Sequence, residues 1–134
     1  MNRYEKAAAA AVALMLLAAG AIFLYAPTDA LQGPVQRIFY LHVSSAIAAY
    51  GCFAVVLVGG IIYLRNESLA ADRFARAGAL VGVVFTTVTL VMGMLWAKPI
   101  WNTFWTWDAR LTSTLVLWMI YAGYLLVQIG RAHV

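Results

Sequence analysis

The chain has 134 residues, of which 65% are hydrophobic and only 10% are charged, and its formal net charge is +4. A soluble domain carries roughly 25% charged residues, so this composition excludes a water-soluble fold and predicts an integral membrane protein. The basic residues are scattered between apolar runs, so the positive charge does not indicate nucleic-acid binding. The single cysteine, Cys52, lies in an apolar run and cannot form an intramolecular disulfide.

Four uncharged apolar runs follow one another along the chain, and each is long enough to cross a bilayer as a helix, which takes about 20 residues. Because every backbone polar group inside lipid needs an internal partner, the runs predict helices, and the fold class is an all-α membrane bundle. The first run is longer than the apolar part of a usual signal peptide, so it predicts an uncleaved span. We expect one membrane domain, residues 1–134, with transmembrane helices at about 7–26, 38–64, 77–97 and 111–130.

Basic residues are unequally distributed between the two sides of this bundle. Cytoplasmic loops are enriched in Lys and Arg, so the side with more of them is predicted to be cytoplasmic. Both termini and the second connection then lie in the cytoplasm. The first and third connections face the outside, which is the periplasm if the membrane is the inner membrane of a Gram-negative cell. The cytoplasmic set is Arg3, Lys6, Arg65, Arg73, Arg76 and Arg131, and the external set is Arg37, Lys98 and Arg110.

The third connection, an external loop at 96–110, is rich in aromatic residues. It includes "KPIWNTFWTWDAR" and contains four of the five tryptophans of the chain, together with Asp108 and Arg110. An aromatic belt at the headgroup level would spread such residues over several helix ends and both membrane faces. Their concentration in one loop slightly favours a platform for a ligand, and a belt remains the alternative.

One histidine lies on the same side as this loop. His42 occurs in "RIFYLHVSSA", at the outer end of the second span, and an ionisable residue in an apolar span is costly and marks a functional candidate. The alternative is a histidine satisfied at the membrane interface. The other histidine, His133, follows the fourth span on the opposite side, so the two cannot share a site.

The remaining polar residues do not support a conventional catalytic site. One outward histidine, one cysteine in an apolar run and few carboxylates do not make a tetrahedral metal site. Neither a credible Ser-His-Asp arrangement nor a phosphate-binding glycine loop is present in the sequence. We therefore expect the binding and transfer of a ligand rather than conventional catalysis.

A flat hydrophobic ligand with charged edges would suit these residues. It would stack on the indole rings and offer a central metal to His42, as haem iron accepts imidazole. Its carboxylates would meet Arg37, Lys98 or Arg110. Haem satisfies all of these terms, whereas a lipid, a quinone or a peptide satisfies most of them.

The stretches "RIFYLHV" and "LWAKPIWNTFWTWDARLTS" resemble the CcmC branch of the haem-handling proteins of cytochrome c maturation, the haem exporter protein C family. The hallmark of that family is an external tryptophan-rich motif of the form WGxWWxWDxRLT. The resemblance implies a polytopic helical protein of the inner, cytoplasmic membrane that holds haem at the external face. It further implies presentation of haem to the chaperone CcmE, in a complex with CcmA, CcmB and CcmD.

The resemblance also assigns roles to individual residues. It implies that His42 is an axial ligand of the haem iron. The motif tryptophans Trp101, Trp105 and Trp107 are expected to contact haem or the chaperone. The same holds for Asp108 and Arg110, with Lys98 or Arg37 as further partners of the haem carboxylates.

The sequence departs from the family pattern at several positions. Phe104 stands where the motif has a tryptophan, Asn102 where it has a glycine, and Ser44 where a proline often follows "HV". Family members continue with two more spans and a second external histidine. We therefore expect either part of a longer protein or a short member whose second iron ligand comes from a partner. The alternative function is a structural or assembly subunit whose aromatic loop docks a partner without binding haem.

Overall fold

The computed structural model describes residues 2–131, and within this range it is built from four long α-helices with no strand. All four helices are long and apolar enough to span a membrane, which confirms the predicted all-α bundle. The first helix continues into a π-helical turn, Ala21–Tyr25. The helices are α1, Arg3–Gly20; α2, Gln36–Asn66; α3, Leu69–Trp101; and α4, Ala109–Arg131.

The connection between α2 and α3 is much shorter than the sequence predicted. Only Glu67 and Ser68 lie outside the helices: Glu67 is left-handed at φ 51° and ends α2, and Ser68 caps α3 by accepting from the Ala71 N–H. The predicted bounds, 64 and 77, followed the ends of the apolar runs. Charged residues end the apolar stretch but do not end the helix, and Asp72 and Arg76 form an i,i+4 ion pair on the first turns of α3.

The segment between α3 and α4 is also shorter than the predicted loop of 96–110. Residues 96–101 are the last turns of α3, and the non-helical segment is 102–108. Asn102, in the left-handed conformation at φ 55°, ends the helix. Lys98 Nζ donates to the Asn102 backbone carbonyl at 3.1 Å and to its side-chain oxygen at 3.2 Å, which stabilises this end.

Small residues pack α2 against α3 and form the centre of the described fold. Gly78 and Gly82, four residues apart on α3, both face α2. A Cβ at Gly78 would lie 3.1 Å from the Cys52 carbonyl oxygen, a tight contact that glycine avoids. The buried residues of both helices are small, namely Ser45, Ala49, Gly59, Ala75, Ala79, Gly82, Thr86, Thr89 and Ala97.

The outer helices are held more loosely. The Trp118 Nε1–H of α4 donates to the Thr87 hydroxyl of α3 at 2.8 Å. The Phe53 and Tyr121 rings stack with their centroids 4.2 Å apart, which joins α4 to α2. No residue of α1 is buried. The α2–α3 pair is therefore the frame against which a site is positioned.

Candidate functional site

A cavity of about 350 Å³ lies between α2, α3, the first turns of α4 and the 102–108 segment. It receives side chains from all of these elements, so it exists only in the packed bundle. Five of the predicted site residues line it, and four do not. The lining residues are His42, Trp101, Phe104, Trp105 and Arg110, and those outside the lining are Arg37, Lys98, Trp107 and Asp108.

His42, on the second turn of α2, is fixed by a hydrogen bond to α3. Its Nδ1 lies 2.9 Å from the Thr89 carbonyl oxygen. A carbonyl can only accept, so Nδ1 carries the proton and donates. No residue in the range 2–131 hydrogen-bonds Nε2 of His42. In the neutral ring the lone pair of Nε2 is therefore the available donor to a ligand.

Two features of α3 let the imidazole approach so closely. Gly93 lies one turn after Thr89, and a Cβ there would be 2.9 Å from Cε1 of His42. The Thr89 hydroxyl also lies 3.0 Å from the Ser45 hydroxyl, and Ser45 donates to the His42 carbonyl at 2.9 Å. Both hydroxyl residues are buried. The ring and its own helix are thus both tied to the same turn of α3.

Trp96 organises the aromatic wall above His42. Its ring centroid lies 6.1 Å from that of His42, 5.3 Å from Phe39 and 5.4 Å from Trp101. Its indole N–H donates to the Gln32 side-chain oxygen at 3.1 Å, which ties the first connection to this wall.

The turn that holds Gln32 is built by Asp29. One carboxylate oxygen of Asp29 accepts from the backbone N–H groups of Leu31 and Gln32, at 2.8 and 2.7 Å. The Gln32 and Leu31 hydrogen bonds hold the pKa of the Asp29 carboxyl below its ordinary value. The connection before α2 is therefore held by hydrogen bonds to the site's surroundings.

Trp105 and Trp107 have different surroundings although they are two residues apart. Trp105 is half-buried and lines the cavity, and its Nε1 is buried with no partner among residues 2–131. Trp107 is 78% exposed and does not line the cavity. The two rings meet edge to face at 5.7 Å. The Thr103 hydroxyl donates to the Trp105 carbonyl at 2.9 Å and pins this turn.

The charged residues in and beside the 102–108 segment also differ in whether they line the cavity. Arg110 lines the cavity, whereas Lys98 caps α3 and lies over the Phe104 ring at 5.4 Å. Asp108 caps α4: one oxygen accepts from the Leu111 N–H at 3.0 Å and the other from the Thr106 hydroxyl at 2.6 Å. The Thr106 hydroxyl, and next the Leu111 N–H, hold the pKa of Asp108 below its ordinary value.

Arg37 lies near the start of α2, and its Nε is buried without a partner in the described part of the chain. Within residues 2–131, no group of three or more His, Cys, Asp or Glu side chains comes together. His133 lies outside the described residues. Among the described residues, His42 is therefore a single metal-ligating side chain. It suits a metal whose other coordination positions are filled by the bound ligand itself.

A sequence model of the family described as CcmC, heme exporter protein C, matches residues 2–131. The chain belongs to the CcmC family. It is 46% identical over 101 residues to heme exporter protein C of Escherichia coli K12, and 39% identical over 99 residues to heme exporter protein C of Paracoccus denitrificans. It is also 41% identical over 121 residues to a ccmC-like mitochondrial protein of cytochrome c biosynthesis from Marchantia polymorpha.

These alignments cover 75%, 74% and 88% of this chain, but 41%, 41% and 53% of the respective relatives. The chain therefore spans about half the length, or less, of these curated relatives. Membership of the CcmC family, together with four helices long enough to cross a bilayer, makes this a multi-pass membrane protein.

Sequence reasoning missed several residues that shape the site in this CcmC chain, among them Gln32 and Gly93. Gly93 follows Thr89 by four residues and precedes Trp96 by three, which is the spacing of one helix face. That spacing indicates that Gly93 shares a helix face with Thr89 and Trp96, so its place near the site could have been predicted. Gln32 had none, because its contact with Trp96 joins residues 64 positions apart.

Proposed function

We propose that this chain binds haem in the cavity beside His42 and presents it at the external membrane face for transfer to a haem chaperone. The proposal is supported by the names of the relatives, heme exporter protein C, and by the residues of the cavity. The observation that carries it is the orientation of His42. Its Nδ1–H is used by the Thr89 carbonyl, and its Nε2 is left to a ligand in an aromatic-walled cavity.

The residues present fit haem in three respects. A porphyrin brings its own ring of nitrogen donors, so a single imidazole from the protein is sufficient to bind its iron. Trp101 and Trp105 offer aromatic surface to a flat hydrophobic ring. Arg110 lines the same cavity and would pair with a haem carboxylate.

Trp105 adds a further point of fit. Its Nε1–H is buried with no partner in the described residues, and an unmade hydrogen bond of this kind costs about 1–3 kcal/mol. A ligand oxygen reached by a small rotation of the ring would satisfy this donor.

His42 would supply one ligand to the haem iron, and transfer of haem to the chaperone would break that bond. The 102–108 segment lies at the edge of the cavity, and the exposed ring of Trp107 is accessible to a partner protein. We assign Trp107 to the contact with the chaperone.

The location and partners follow from the same proposal. Both termini would lie in the cytoplasm and the aromatic segment outside, in the cytoplasmic (inner) membrane, because basic residues favour that orientation. A CcmE-type chaperone would receive the haem. CcmA-, CcmB- and CcmD-type subunits would complete the transport complex.

The proposal is tested by titrating haem into the purified chain in detergent and recording the absorption spectrum. We expect a spectrum of imidazole-ligated haem, and we expect His42→Ala to abolish that signature and weaken binding at least tenfold. Binding by His42→Ala with unchanged spectrum and affinity would refute the assignment of the ligand. Failure of the unsubstituted chain to bind haem would refute the proposed function of this chain.

The exposure of Trp107, together with 52% exposure of Phe104, favours a second candidate function. In this case the chain is an assembly subunit whose aromatic segment docks another protein and binds no haem. The two functions are separated by the haem titration above. An assembly subunit would retain a partner through Trp107 and give no imidazole-ligated haem spectrum.

A further inference from the structure

We propose that Ser45 and Thr89 are positioning residues for His42, and that together they present Nε2 of its imidazole to the ligand. The functional meaning of this inference rests on the proposed haem site. Its geometry is given by the hydrogen bonds between α2 and α3 and does not depend on haem. Ser45 does not line the cavity, whereas Thr89 does. Both act through the histidine.

Three short polar contacts connect these residues, and the Thr89 hydroxyl also lies 2.8 Å from the Phe85 carbonyl oxygen of its own helix, so its single proton is shared between Phe85 and Ser45. Nδ1 of His42 donates to the Thr89 carbonyl at 2.9 Å, the Thr89 hydroxyl lies 3.0 Å from the Ser45 hydroxyl, and Ser45 donates to the His42 carbonyl at 2.9 Å. Ser45 is 4% exposed and Thr89 is 8% exposed. This burial leaves protein groups as the main hydrogen-bond partners of both hydroxyls.

The hydroxyl pair fixes the register of the two helices where the imidazole crosses between them. Sliding α2 by one residue along α3 would move it by about 1.5 Å, which is enough to break a 2.9 Å hydrogen bond. Small residues alone, as elsewhere in this interface, allow close contact but do not define a register so sharply. The Ser45–Thr89 pair supplies that definition.

The proton on Nδ1 then determines which nitrogen is offered. A neutral histidine in water favours the tautomer with the proton on Nε2, which would block metal binding by that atom. The Thr89 carbonyl reverses this preference by accepting from Nδ1–H, and it also raises the basicity of the opposite nitrogen. Gly93 permits it, because a Cβ there would lie 2.9 Å from the ring.

One test uses haem binding with a matched control. Ser44 is the neighbour of Ser45, is exposed, and donates to its own helix at Leu41 just as Ser45 donates to His42. We expect Ser45→Ala and Thr89→Val to weaken haem binding about threefold to tenfold, and Ser44→Ala to leave it unchanged. Thr89→Ser, which keeps the hydroxyl, should restore most of the affinity. Equal behaviour of Ser45→Ala and Ser44→Ala would overturn the proposal.

Chemical rescue isolates the hydrogen bond to Thr89. In His42→Gly the missing ring is supplied as 4-methylimidazole, which has an N–H, or as its isomer 1-methylimidazole, which has none. We expect 4-methylimidazole to restore the haem spectrum at a concentration about threefold to tenfold lower, after correction for the affinity of each isomer for free haem in detergent. An equal corrected concentration would contradict a role for the Thr89 carbonyl.

The deciding experiment needs no haem. Nitrogen-15 NMR of the histidine-labelled chain, with His133→Gln so that only His42 reports, gives the tautomer directly. We expect Nδ1–H in the otherwise unchanged chain and in Ser44→Ala, and a shift toward Nε2–H in Ser45→Ala and Thr89→Val. An unshifted tautomer in both of the latter refutes the positioning role even if haem binds, whereas absent haem binding with the expected tautomers refutes only the proposed function.

Discussion

The stretch 98–110, which joins α3 to α4, contains residues with two kinds of surroundings, and the two kinds alternate along the chain. Trp105 and Arg110 line the cavity beside His42. Lys98 and Asp108 instead cap the two helices that the segment joins, and Trp107 is exposed.

This difference shows that a linear motif need not be a single binding surface. The cap residues place the ends of α3 and α4, and the Thr103 hydroxyl pins the turn that sets Trp105 toward the cavity. The charged residues outside the cavity therefore contribute to the site by fixing the segment. The lining residues are the ones that face the cavity, and the ligand contacts predicted for Arg37, Lys98, Trp107 and Asp108 stay predictions.

The strongest test of the difference between cavity-lining and outer residues is to truncate the two neighbouring tryptophans. We predict that Trp105→Ala weakens haem binding tenfold or more, because a buried aromatic contact is worth about 2 kcal/mol and 1.4 kcal/mol is tenfold. Trp107→Ala should bind haem normally and lose affinity for the chaperone. Haem titration and chaperone binding are measured for both variants.

Each tryptophan variant serves as the control for the other. Similar losses of haem affinity in Trp105→Ala and Trp107→Ala would mean that the segment rearranges around the ligand. In that case the difference between Trp105 and Trp107 would be lost when the ligand binds. Trp105→Phe, which keeps a ring face but no N–H, tells whether the unpartnered donor contributes to affinity.

The two cations give a second, smaller test of the comparison. Arg110→Gln should weaken haem binding by at most about fivefold, because an exposed charge pair is worth about 0.2–1 kcal/mol. Lys98→Gln should leave affinity unchanged and lower the stability of the end of α3. Haem affinity measured at two salt concentrations is the readout, since salt should screen the Arg110 contribution. A salt-dependent loss in Lys98→Gln would place that ammonium at the ligand.

Much of the fold could be predicted from the sequence because its physics is local. Apolar length set the existence and order of the four helices, and the cost of an ionisable group in lipid singled out His42. The helix ends could not be predicted this way. Apolar runs end where the chain leaves the hydrocarbon, whereas α2 ends at Glu67 and α3 at Asn102 through left-handed backbone conformations.

The site itself was only partly predictable. The tryptophan spacing pointed to the segment, but whether Trp105 or Trp107 faces the cavity depends on an irregular turn with no period. The partners of His42 depend on which face of α3 meets α2. Thr89 and Gly93 are ordinary helix residues until that packing brings them to the imidazole.

The smallest predicted effect concerns the cap at Asp108, which titrates. Its pKa is lowered in the folded chain, chiefly by the Thr106 hydroxyl and then by the Leu111 N–H. A group with a depressed folded pKa stabilises the fold above its ordinary pKa, and that contribution is lost as the pH falls through the folded value. We therefore predict a small acid-induced loss of stability at the start of α4, and none between neutral pH and the ordinary carboxyl range.

Asp108→Asn is the control that isolates this group. Asparagine caps a helix about as well as aspartate but carries no titrating proton, so the variant should keep the cap and lose its pH dependence. The measurement is the difference in thermal unfolding midpoint between the chain and Asp108→Asn in detergent, from pH 6 down to about pH 3. Asp29, whose pKa is lowered in the same direction, is present in both proteins and cancels in the difference. A difference that stays constant over this range would show that the folded chain does not lower the pKa of Asp108, and the contribution assigned to its ionised form at the start of α4 would then be wrong.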